Sequence, residues 1–549
     1  MKSSFFKIII LYVCTLTTST FAQDVVWKKS FGGSWYESFW SVAEMNDGII
    51  AVGSSHEFSF GNGDWEGISE KGFDDAIIVK YDYQGNVVWK KNFGGRGDDG
   101  YNSVTVVDDG VIAVGSSDYR SWGNGDWEGF TGGFYDAIIV KYDNNGNILW
   151  KKNLGGDGID RFTAVSRVFD GIVAVGYASG SIGTGDWEGL TKKGEVDAII
   201  VKFDNEGDVL WKKNFGGNAT QMFNSVLTVS NGIIVVGKSE AGSFGNGDWE
   251  GIIGKGWDDA IVVKYDFNGN VMWKKNFGGD DTDSFESITA IPNGFVTVGY
   301  SGSSSFNNGD WSTIVGKGDF DGIIVKYDDA GNVIWKKNFG GKDNDFFHSV
   351  STISDGIIAV GTSDGGYNGN SGSFGNGDWV GFIGKGDKDV IIVKYDYNGN
   401  IIWKKHFGGT SYDYCYAVTS VLNDIVFVGY SGYENFGIGD WEGVLGKGSN
   451  DATIVKLTAG GVGISDHTKS ISIINAYPNP TSDLLWIYSD CAASLQNISL
   501  FDIMGKNVGV NIRGCSENSK NEIILDISHL SSGIYFLRTE DDVVKIVKR

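Results

Sequence analysis

The 549-residue sequence predicts an all-β fold made from one unit that is repeated along most of the chain. A Trp-Lys-Lys sequence recurs every 61 to 68 residues, and each interval holds several short runs of β-branched and aromatic residues. No interval shows a sustained 3.6-residue apolar period, which argues against helices. The seven copies begin at Trp27, Trp89, Trp150, Trp211, Trp273, Trp335 and Trp403.

Each repeat contains four predicted strands. In the second copy these strands lie at 86–93, 101–107, 111–117 and 136–143. An Asx-Gly pair between the second and third strands favours a tight hairpin between antiparallel neighbours. Such pairs occur at Asp109-Gly110, Asp170-Gly171, Asn231-Gly232, Asn293-Gly294 and Asp355-Gly356.

Several of these strands, such as "GIIAVG" and "AIIVK", are nearly continuous apolar runs, which indicates sheets covered on both faces. Four-stranded blades stacked around an axis meet this requirement, so residues 23–461 are predicted to form a seven-bladed β-propeller. The first Trp-Lys-Lys strand has no partner before it, and the last "IVK" strand has none after it. Pairing 25–31 with 452–457 would therefore complete the seventh blade and close the ring.

The composition limits the function classes. The chain carries 45 basic and 69 acidic residues, a balance that would repel the phosphates of nucleic acid. Residues 1–22 are predicted to be a secretory signal peptide, with Lys2 and Lys7 before an apolar stretch. No later apolar run approaches the roughly 20 residues of a membrane span, so no transmembrane segment is predicted.

The composition changes after Gly461. A polar linker at 462–475 leads to short predicted strands separated by Asn/Gly and Ser-Gly turns, which indicate a small β-sandwich at 476–549. This region contains "YPNP", "LFDIMGK", "GIYFLR" and the basic end "KIVKR" in that order. It resembles the C-terminal sorting domain of substrates of the type IX secretion system. The resemblance implies export through contacts with the type IX machinery, followed by release or attachment at the outer-membrane cell surface.

The strand–turn–Trp unit "IIVKYDYQGNVVW" resembles the blade unit of quinoprotein-type propellers, in which the tryptophan docks on a neighbouring blade. The whole 25–457 region looks like the propeller repeats of large secreted bacterial proteins. That family is described mainly by its fold, so the resemblance implies no catalytic residues here.

The cysteines leave one pairing open. Export would allow a disulfide between Cys491 and Cys515, although their spacing does not prove one. Cys415 is isolated in the sequence and is expected to be free and buried.

A Gly-Asp-Trp sequence recurs in the long loop between the third and fourth predicted strands of every repeat, 111–117 and 136–143 in the second copy. Exposed indoles could stack on sugar rings while the carboxylates accept hydroxyl hydrogens, which would make one face of the disc a multivalent glycan-binding surface. The alternative is a structural role, with the indole filling an interblade gap and the carboxylate capping loop amides. The residues concerned are Asp64, Trp65, Asp126, Trp127, Asp186, Trp187, Asp248, Trp249, Asp310, Trp311, Asp378, Trp379, Asp440 and Trp441.

Other chemistry has less support. Acidic clusters at 96–99, 280–283 and 342–345 could supply calcium ligands, but none has a full metal motif and solvated turns are the preferred interpretation. No cofactor and no catalytic constellation is identified. The sequence therefore predicts a secreted or surface-displayed, non-enzymatic binding or scaffold protein whose partner is a glycan or a surface protein. The alternative is an extracellular polysaccharide hydrolase with its site on the long-loop face.

Overall fold

A computed structural model describes residues 24–180, 182–366, 372–459, 474–477, 484–489, 499–502, 508, 511–515, 522–538 and 543–548. The predicted signal peptide at 1–22 and most of the predicted linker lie outside these residues. Cys491 and the side chain of Cys515 lie outside them as well, so the disulfide stays a prediction. The chain divides into two compact units, Met1–Gly461 and Val462–Arg549.

In the part of the first unit that the structure describes, 28 strands are joined by turns and loops. They are β1 (Val25–Phe31), β2 (Glu37–Met45), β3 (Gly48–His56), β4 (Asp74–Tyr81), β5 (Val87–Phe93), β6 (Asp99–Val107), β7 (Gly110–Asp118), β8 (Tyr135–Asp143), β9 (Ile148–Leu154), β10 (Ile159–Val168), β11 (Gly171–Ser179), β12 (Val196–Phe203), β13 (Val209–Phe215), β14 (Gln221–Val229), β15 (Gly232–Glu240), β16 (Asp258–Tyr265), β17 (Val271–Phe277), β18 (Asp283–Ile291), β19 (Gly294–Gly302), β20 (Phe320–Tyr327), β21 (Val333–Phe339), β22 (Asp345–Ile353), β23 (Gly356–Asp364), β24 (Lys388–Tyr395), β25 (Ile401–Phe407), β26 (Asp413–Val421), β27 (Asp424–Gly432) and β28 (Asn450–Leu457).

The loops between strands contain short 3-10 helices. They are Glu57–Ser59, Gly63–Trp65, Gly125–Trp127, Gly185–Trp187, Ala241–Ser243, Gly247–Trp249, Ser303–Ser305, Gly309–Trp311, Gly377–Trp379, Tyr433–Asn435 and Gly439–Trp441. Among the described residues no helix is long and apolar enough to cross a membrane.

Consecutive strands pair antiparallel into four-stranded sheets: β2–β5, β14–β17, β18–β21 and β22–β25. Strands β6–β9 and β10–β13 form one eight-stranded sheet, whose halves are joined only by a parallel pair between Tyr135 and Ile159. The remaining sheet has the order β1-β28-β27-β26, with Trp27 opposite Lys456 and Phe31 opposite Ala452. The predicted pairing of the first strand with the last is therefore confirmed.

The sheets follow one another in a closed cycle. One strand of each blade lies innermost in this cycle: β2, β6, β10, β14, β18, β22 and β26. Each innermost strand contacts the next one in this series, and β26 contacts β2, which completes the circle. Each hydrophobic cluster spans two neighbouring sheets; Ile49 and Val79, for example, pack in one cluster with Val426 and Ile454. Since both faces of every sheet are covered in this way, the apolar strand pattern is explained, and the arrangement is a β-propeller.

The Trp-Lys-Lys tryptophans dock on the next sheet, as the resemblance implied. The ring of Trp27 covers Gly85, where a Cβ atom would lie 2.9 Å from the indole, and its Nε1 donates to the Tyr83 carbonyl at 3.1 Å. Gly85 has a φ of +79°, which also favours glycine at this turn. The same contact joins Trp89 to Gly146 and Trp335 to Gly399.

The described residues of the second unit form seven further strands in two antiparallel sheets. One has the order β29-β30-β33-β32 and the other β31-β34-β35. The first described strand of this unit, β29, begins at Ile474, two residues before the predicted boundary at 476. The strands are β29 (Ile474–Tyr477), β30 (Leu484–Ser489), β31 (Ser499–Asp502), β32 (Asn511–Cys515), β33 (Glu522–Asp526), β34 (Gly533–Arg538) and β35 (Val543–Lys548).

Candidate functional site

The seven Gly-Asp-Trp segments each form a single 3-10 turn wedged between neighbouring sheets. All seven indoles are at most 1 % exposed. The glycine before each aspartate is held in the left-handed region; Gly63, for example, has a φ of +54°, and a Cβ there would lie 2.4 Å from the Gly32 carbonyl oxygen. Sequence and packing therefore require glycine at the start of this turn.

Each indole packs against the outermost strand of the preceding sheet. Trp249 meets the Phe215 ring edge-on, with ring centroids 5.0 Å apart, and Trp311 meets Phe277 at the same separation. A second phenylalanine from the same loop, Phe244 in the case of Trp249, closes the other side at 5.0 Å. The tryptophan thus joins two sheets through apolar and edge-to-face contacts.

Each aspartate clamps the turn to the preceding sheet. The Asp248 carboxylate accepts a hydrogen bond from the Gly216 N–H at 2.9 Å, and its own N–H donates to the Gly216 carbonyl at 2.8 Å. A lysine from the preceding repeat, Lys193, also donates to this carboxylate at 2.7 Å. The Gly contact recurs in all seven copies, with N–H to Oδ2 distances of 2.9–3.0 Å.

These contacts decide between the two interpretations of the motif. The expectation that the indoles face solvent and stack on sugars is wrong, because the interblade gap encloses them completely. The structural interpretation, in which the indole fills that gap and the carboxylate caps loop amides, accounts for the residues. The tryptophans of the seven predicted ligand-binding pairs therefore have no surface to offer a ligand.

A layer of buried acids lies beneath the tryptophans, at the first position of each innermost strand except β10, where Asp160 is the second residue. Trp441 Nε1 donates to Asp413 Oδ1 at 2.7 Å, and Trp187 Nε1 donates to Asp160 Oδ1 at 2.8 Å. Burial raises the pKa of Asp413 to about 7. The inner acid layer comprises Glu37, Asp99, Asp160, Asp283, Asp345 and Asp413, and Gln221 takes the seventh place.

This layer also explains the acidic clusters of the sequence. Asp99, Asp283 and Asp345 are the last residues of the three predicted candidate calcium loops, and each is buried and hydrogen-bonded within the protein. Burial raises the pKa of each of them to about 6. Among the described residues no group of three or more His, Cys, Asp or Glu side chains is placed to hold a metal ion.

A set of residues that differ between repeats lies on the innermost strands, at the axis of the ring. One residue on each of these strands lies within a register shift, next to a fully buried neighbour such as Phe39. These residues are half-buried or exposed, and they comprise six residue types in seven repeats, with asparagine in two of them. We call them the axial ring: Trp40, Asn102, Thr163, Asn224, Glu286, His348 and Tyr416.

The axial ring forms contacts from sheet to sheet. Trp40 stacks on Tyr416 with ring centroids 4.2 Å apart, and Tyr416 lies 6.0 Å from His348. Asn224 Nδ2 donates to Glu286 Oε1 at 3.3 Å. Desolvation lowers the pKa of His348 to about 4, so its imidazole is neutral near pH 7, and desolvation also raises the pKa of Glu286.

Sequence reasoning missed the axial ring because it looked for residues that recur. The available signal was the opposite one: a column of the repeat that holds six residue types in seven copies, while the residue before it is aromatic in every copy but one and the residue after it is always serine or alanine. Cys415, predicted to be free and buried, is both, and it occupies the column held by Phe39 and Tyr101 in other repeats.

Comparison with known proteins decides the C-terminal unit. Residues 475–549 match the family of secretion system C-terminal sorting domains. This region is a type IX sorting domain. The sorting domain marks the protein for secretion and cell-surface attachment and implies an interaction with the secretion machinery, as the sequence predicted.

The propeller itself has only distant relatives among these matches. The chain is 26 % identical over 199 residues to the regulatory protein FlaEY of Caulobacter vibrioides, covering 33 % of this chain and 20 % of that protein. It is 23 % identical over 270 residues to an uncharacterized Aquifex aeolicus protein, covering 49 % and 59 % respectively. The chain thus spans less than two thirds of the length of either relative.

Solved structures similar to this chain are propellers. BamB from Moraxella catarrhalis aligns with a TM-score of 0.36 at 12 % identity, covering 80 % of this chain and 100 % of that one. The WD40 propeller domain of Doa1 aligns with a TM-score of 0.41 at 12 % identity, covering 80 % and 97 %. The fold assignment rests on the strand pairings described above.

Proposed function

We propose that this protein is a secreted or surface-attached, non-enzymatic binding module, with seven blades and a ligand site at the axial ring. The observation that carries the proposal is that the axial ring differs from blade to blade within an otherwise repeated scaffold. A purely structural position in a repeat is expected to keep one residue type, as the Gly-Asp-Trp segments do.

The seven-blade count is supported by the small contact inside the eight-stranded sheet. Its Tyr135–Ile159 pair occupies the place where single parallel bridges link other neighbouring sheets, such as Val196 with Thr220 and Asp258 with Thr282. The eight strands therefore correspond to two blades joined by an ordinary interblade bridge. In the sorting domain, a contact between β29 and β35 joins the two sheets, which supports a sandwich.

A carbohydrate is the ligand class that suits the axial ring best. The stacked Trp40 and Tyr416 supply an aromatic surface, and Trp40 is 39 % exposed. Asn224 and Glu286 supply an amide and a carboxyl group within the same ring of residues. Flat aromatic area beside hydrogen-bonding groups is the combination that sugar rings require.

Binding is preferred over hydrolysis because the axial ring contains one carboxyl group, Glu286. Glycoside hydrolysis commonly uses a pair of carboxyl groups on opposite sides of the scissile bond. The acids of the neighbouring inner acid layer are buried and accept hydrogen bonds from groups within the fold.

The test is a glycan array probed with the full chain and with a Trp40→Ala variant. We expect binding to at least one glycan class and a loss of roughly tenfold or more in Trp40→Ala, since an aromatic platform is removed. Trp257→Ala is the control, because Trp257 is 77 % exposed and lies on the loop preceding β16, away from the axial ring. Binding that is unaffected by Trp40→Ala, or absent from the array, would contradict the proposal.

A further inference from the structure

One Gly-Asp-Trp aspartate lacks the lysine that the other six receive. In those six repeats a lysine of the preceding blade donates to the aspartate Oδ2, at 2.5 to 2.7 Å for the five pairs Lys71–Asp126, Lys193–Asp248, Lys255–Asp310, Lys317–Asp378 and Lys385–Asp440, and likewise in Lys447–Asp64. Asp186 has no such ion pair among the described residues.

The loop that should supply this lysine is shortened. The segment from Gly129 to Asp136 is one residue shorter than the corresponding segment from Gly67 to Asp75, and it contains Gly132 and no lysine. A side chain at Gly132 is also obstructed, because its Cβ would lie 2.3 Å from Cε2 of the Trp122 ring. The length of this loop and the packing around Gly132 therefore both exclude a lysine from this position.

A cavity of about 340 Å³ lies where the lysine is missing. Asp186 and Asn153 both line it. In the six complete repeats the lysine Nζ donates to two acceptors, the aspartate and the backbone carbonyl of the residue that corresponds to Asn153. That second contact is 2.7 Å for Lys193 with the Asn214 carbonyl and 2.8 Å for Lys71 with the Asn92 carbonyl.

The positive groups already near Asp186 do not replace the lysine. Lys152 is paired with Asp208 at 2.9 Å, and Lys212 donates to the backbone carbonyl of Asp186. The counterpart of Lys212 makes the same backbone contact in complete repeats, as Lys274 does to the Asp248 carbonyl. A second ammonium group is accommodated beside it there, so the Asp186 site has room and charge for one more cation.

From this geometry we propose that the cavity at Asp186 binds a primary ammonium group on an unbranched alkyl chain, such as the lysine side chain of a partner protein. The six complete repeats provide the template: the ammonium donates to Asp186 Oδ2 and to the Asn153 carbonyl, and its aliphatic stem lies along the groove between β9 and β13. The site is separate from the axial ring and does not depend on the function proposed there.

The test is a calorimetric titration of the full chain with Nα-acetyl-lysine methylamide at low ionic strength. We expect one saturable site that the Nε-acetylated compound does not fill, and affinity that falls in high salt. Asp186→Asn should weaken binding at least about tenfold, because a charge-assisted hydrogen bond is replaced by a neutral one. The Asn oxygen can still accept the Gly155 N–H bond, which keeps the turn in place.

Two variants of the equivalent site in the next repeat, where Lys193 pairs with Asp248, serve as controls. Asp248→Asn should leave the affinity unchanged, since Lys193 already occupies that carboxylate. Lys193→Ala should add a second, equivalent site, raising the stoichiometry from about one to about two. Glucosamine, whose amine is attached to a ring carbon, separates a lysine-type ligand from an amino sugar.

The outcomes are decisive in each direction. No saturable binding to the unchanged chain, equal binding by Asp186→Asn, or stronger binding of glucosamine than of the lysine compound would each overturn the proposal. The stoichiometry of the Lys193→Ala variant tests the same chemistry even if Asp186→Asn folds poorly.

Discussion

Replacing Trp249 with alanine is expected to lower the free energy of unfolding by about 3–5 kcal/mol. Trp249 is fully buried between two blades, with Phe215 and Phe244 each 5.0 Å away by ring centroid. Removing the indole leaves a cavity that the neighbouring strands could fill only by moving closer together. Urea unfolding followed by circular dichroism measures the loss.

Trp257→Ala is the matched control, because it changes the same residue type eight positions away in the same repeat. Trp257 is 77 % exposed, and its loss should alter the free energy of unfolding by no more than about 0.5 kcal/mol. Equal effects of the two substitutions would show that the Gly-Asp-Trp segment does not hold the blades together.

Replacing Glu37 with glutamine is expected to raise the free energy of unfolding at pH 8 by up to about 3 kcal/mol and to change it little at pH 5. Burial raises the pKa of Glu37 to about 7. The folded chain therefore binds more protons than the unfolded chain between about pH 4.5 and 7, and the stability contributed by protonated Glu37 is lost as pH rises through the folded pKa.

The neutral amide removes this dependence, and Gln221 provides the precedent. In its own repeat Gln221 occupies the place of Glu37, and its Oε1 accepts the Gly217 N–H at 2.8 Å. Thermal unfolding of both proteins across pH 5 to 8 measures the effect, with the exposed loop substitution Glu66→Gln as the control. Parallel stability curves for Glu37→Gln and the unchanged chain would contradict the expectation.

The same sign applies to Asp99, Asp283, Asp345 and Asp413 of the inner acid layer. Asp283, Asp345 and Asp413 have a raised pKa from burial, so the unchanged protein should lose stability as pH rises from about 4 to 7.

The aspartates of the exposed turns affect stability in a different pH range. Hydrogen bonds from Asn270 lower the pKa of Asp266, so its stabilising contribution is lost only as pH falls below the ordinary carboxyl range.

The strands were predictable because they depend on residues that are close together in the chain. The closure of the ring was predictable because the number of strands leaves the first and the last one without a sequential partner. Apolar runs of strand length, Asx-Gly turns and the unmatched first strand lead to the pairing of Trp27 with Lys456. The sorting domain at the C-terminus was equally predictable, since its motifs are short sequences in a fixed order.

The site was harder to predict, because repetition alone does not distinguish a buried residue from an exposed one. The indole of Trp249 is covered by Phe215 from the preceding blade, a contact that no local pattern reveals. The lysine that Asp126 receives is 55 residues away, so the absence of its counterpart at Asp186 has meaning only once the blades are placed side by side.

The sequence by itself therefore determined the strands, the repeat and the route of export, since each of these follows from residues close together in the chain. Only the tertiary structure decided which repeated residues are enclosed, which residues surround the axis and where a cation is missing. The physical reason is that burial and ion pairing in a propeller arise between neighbouring blades, whose contacting residues are separated by most of a repeat.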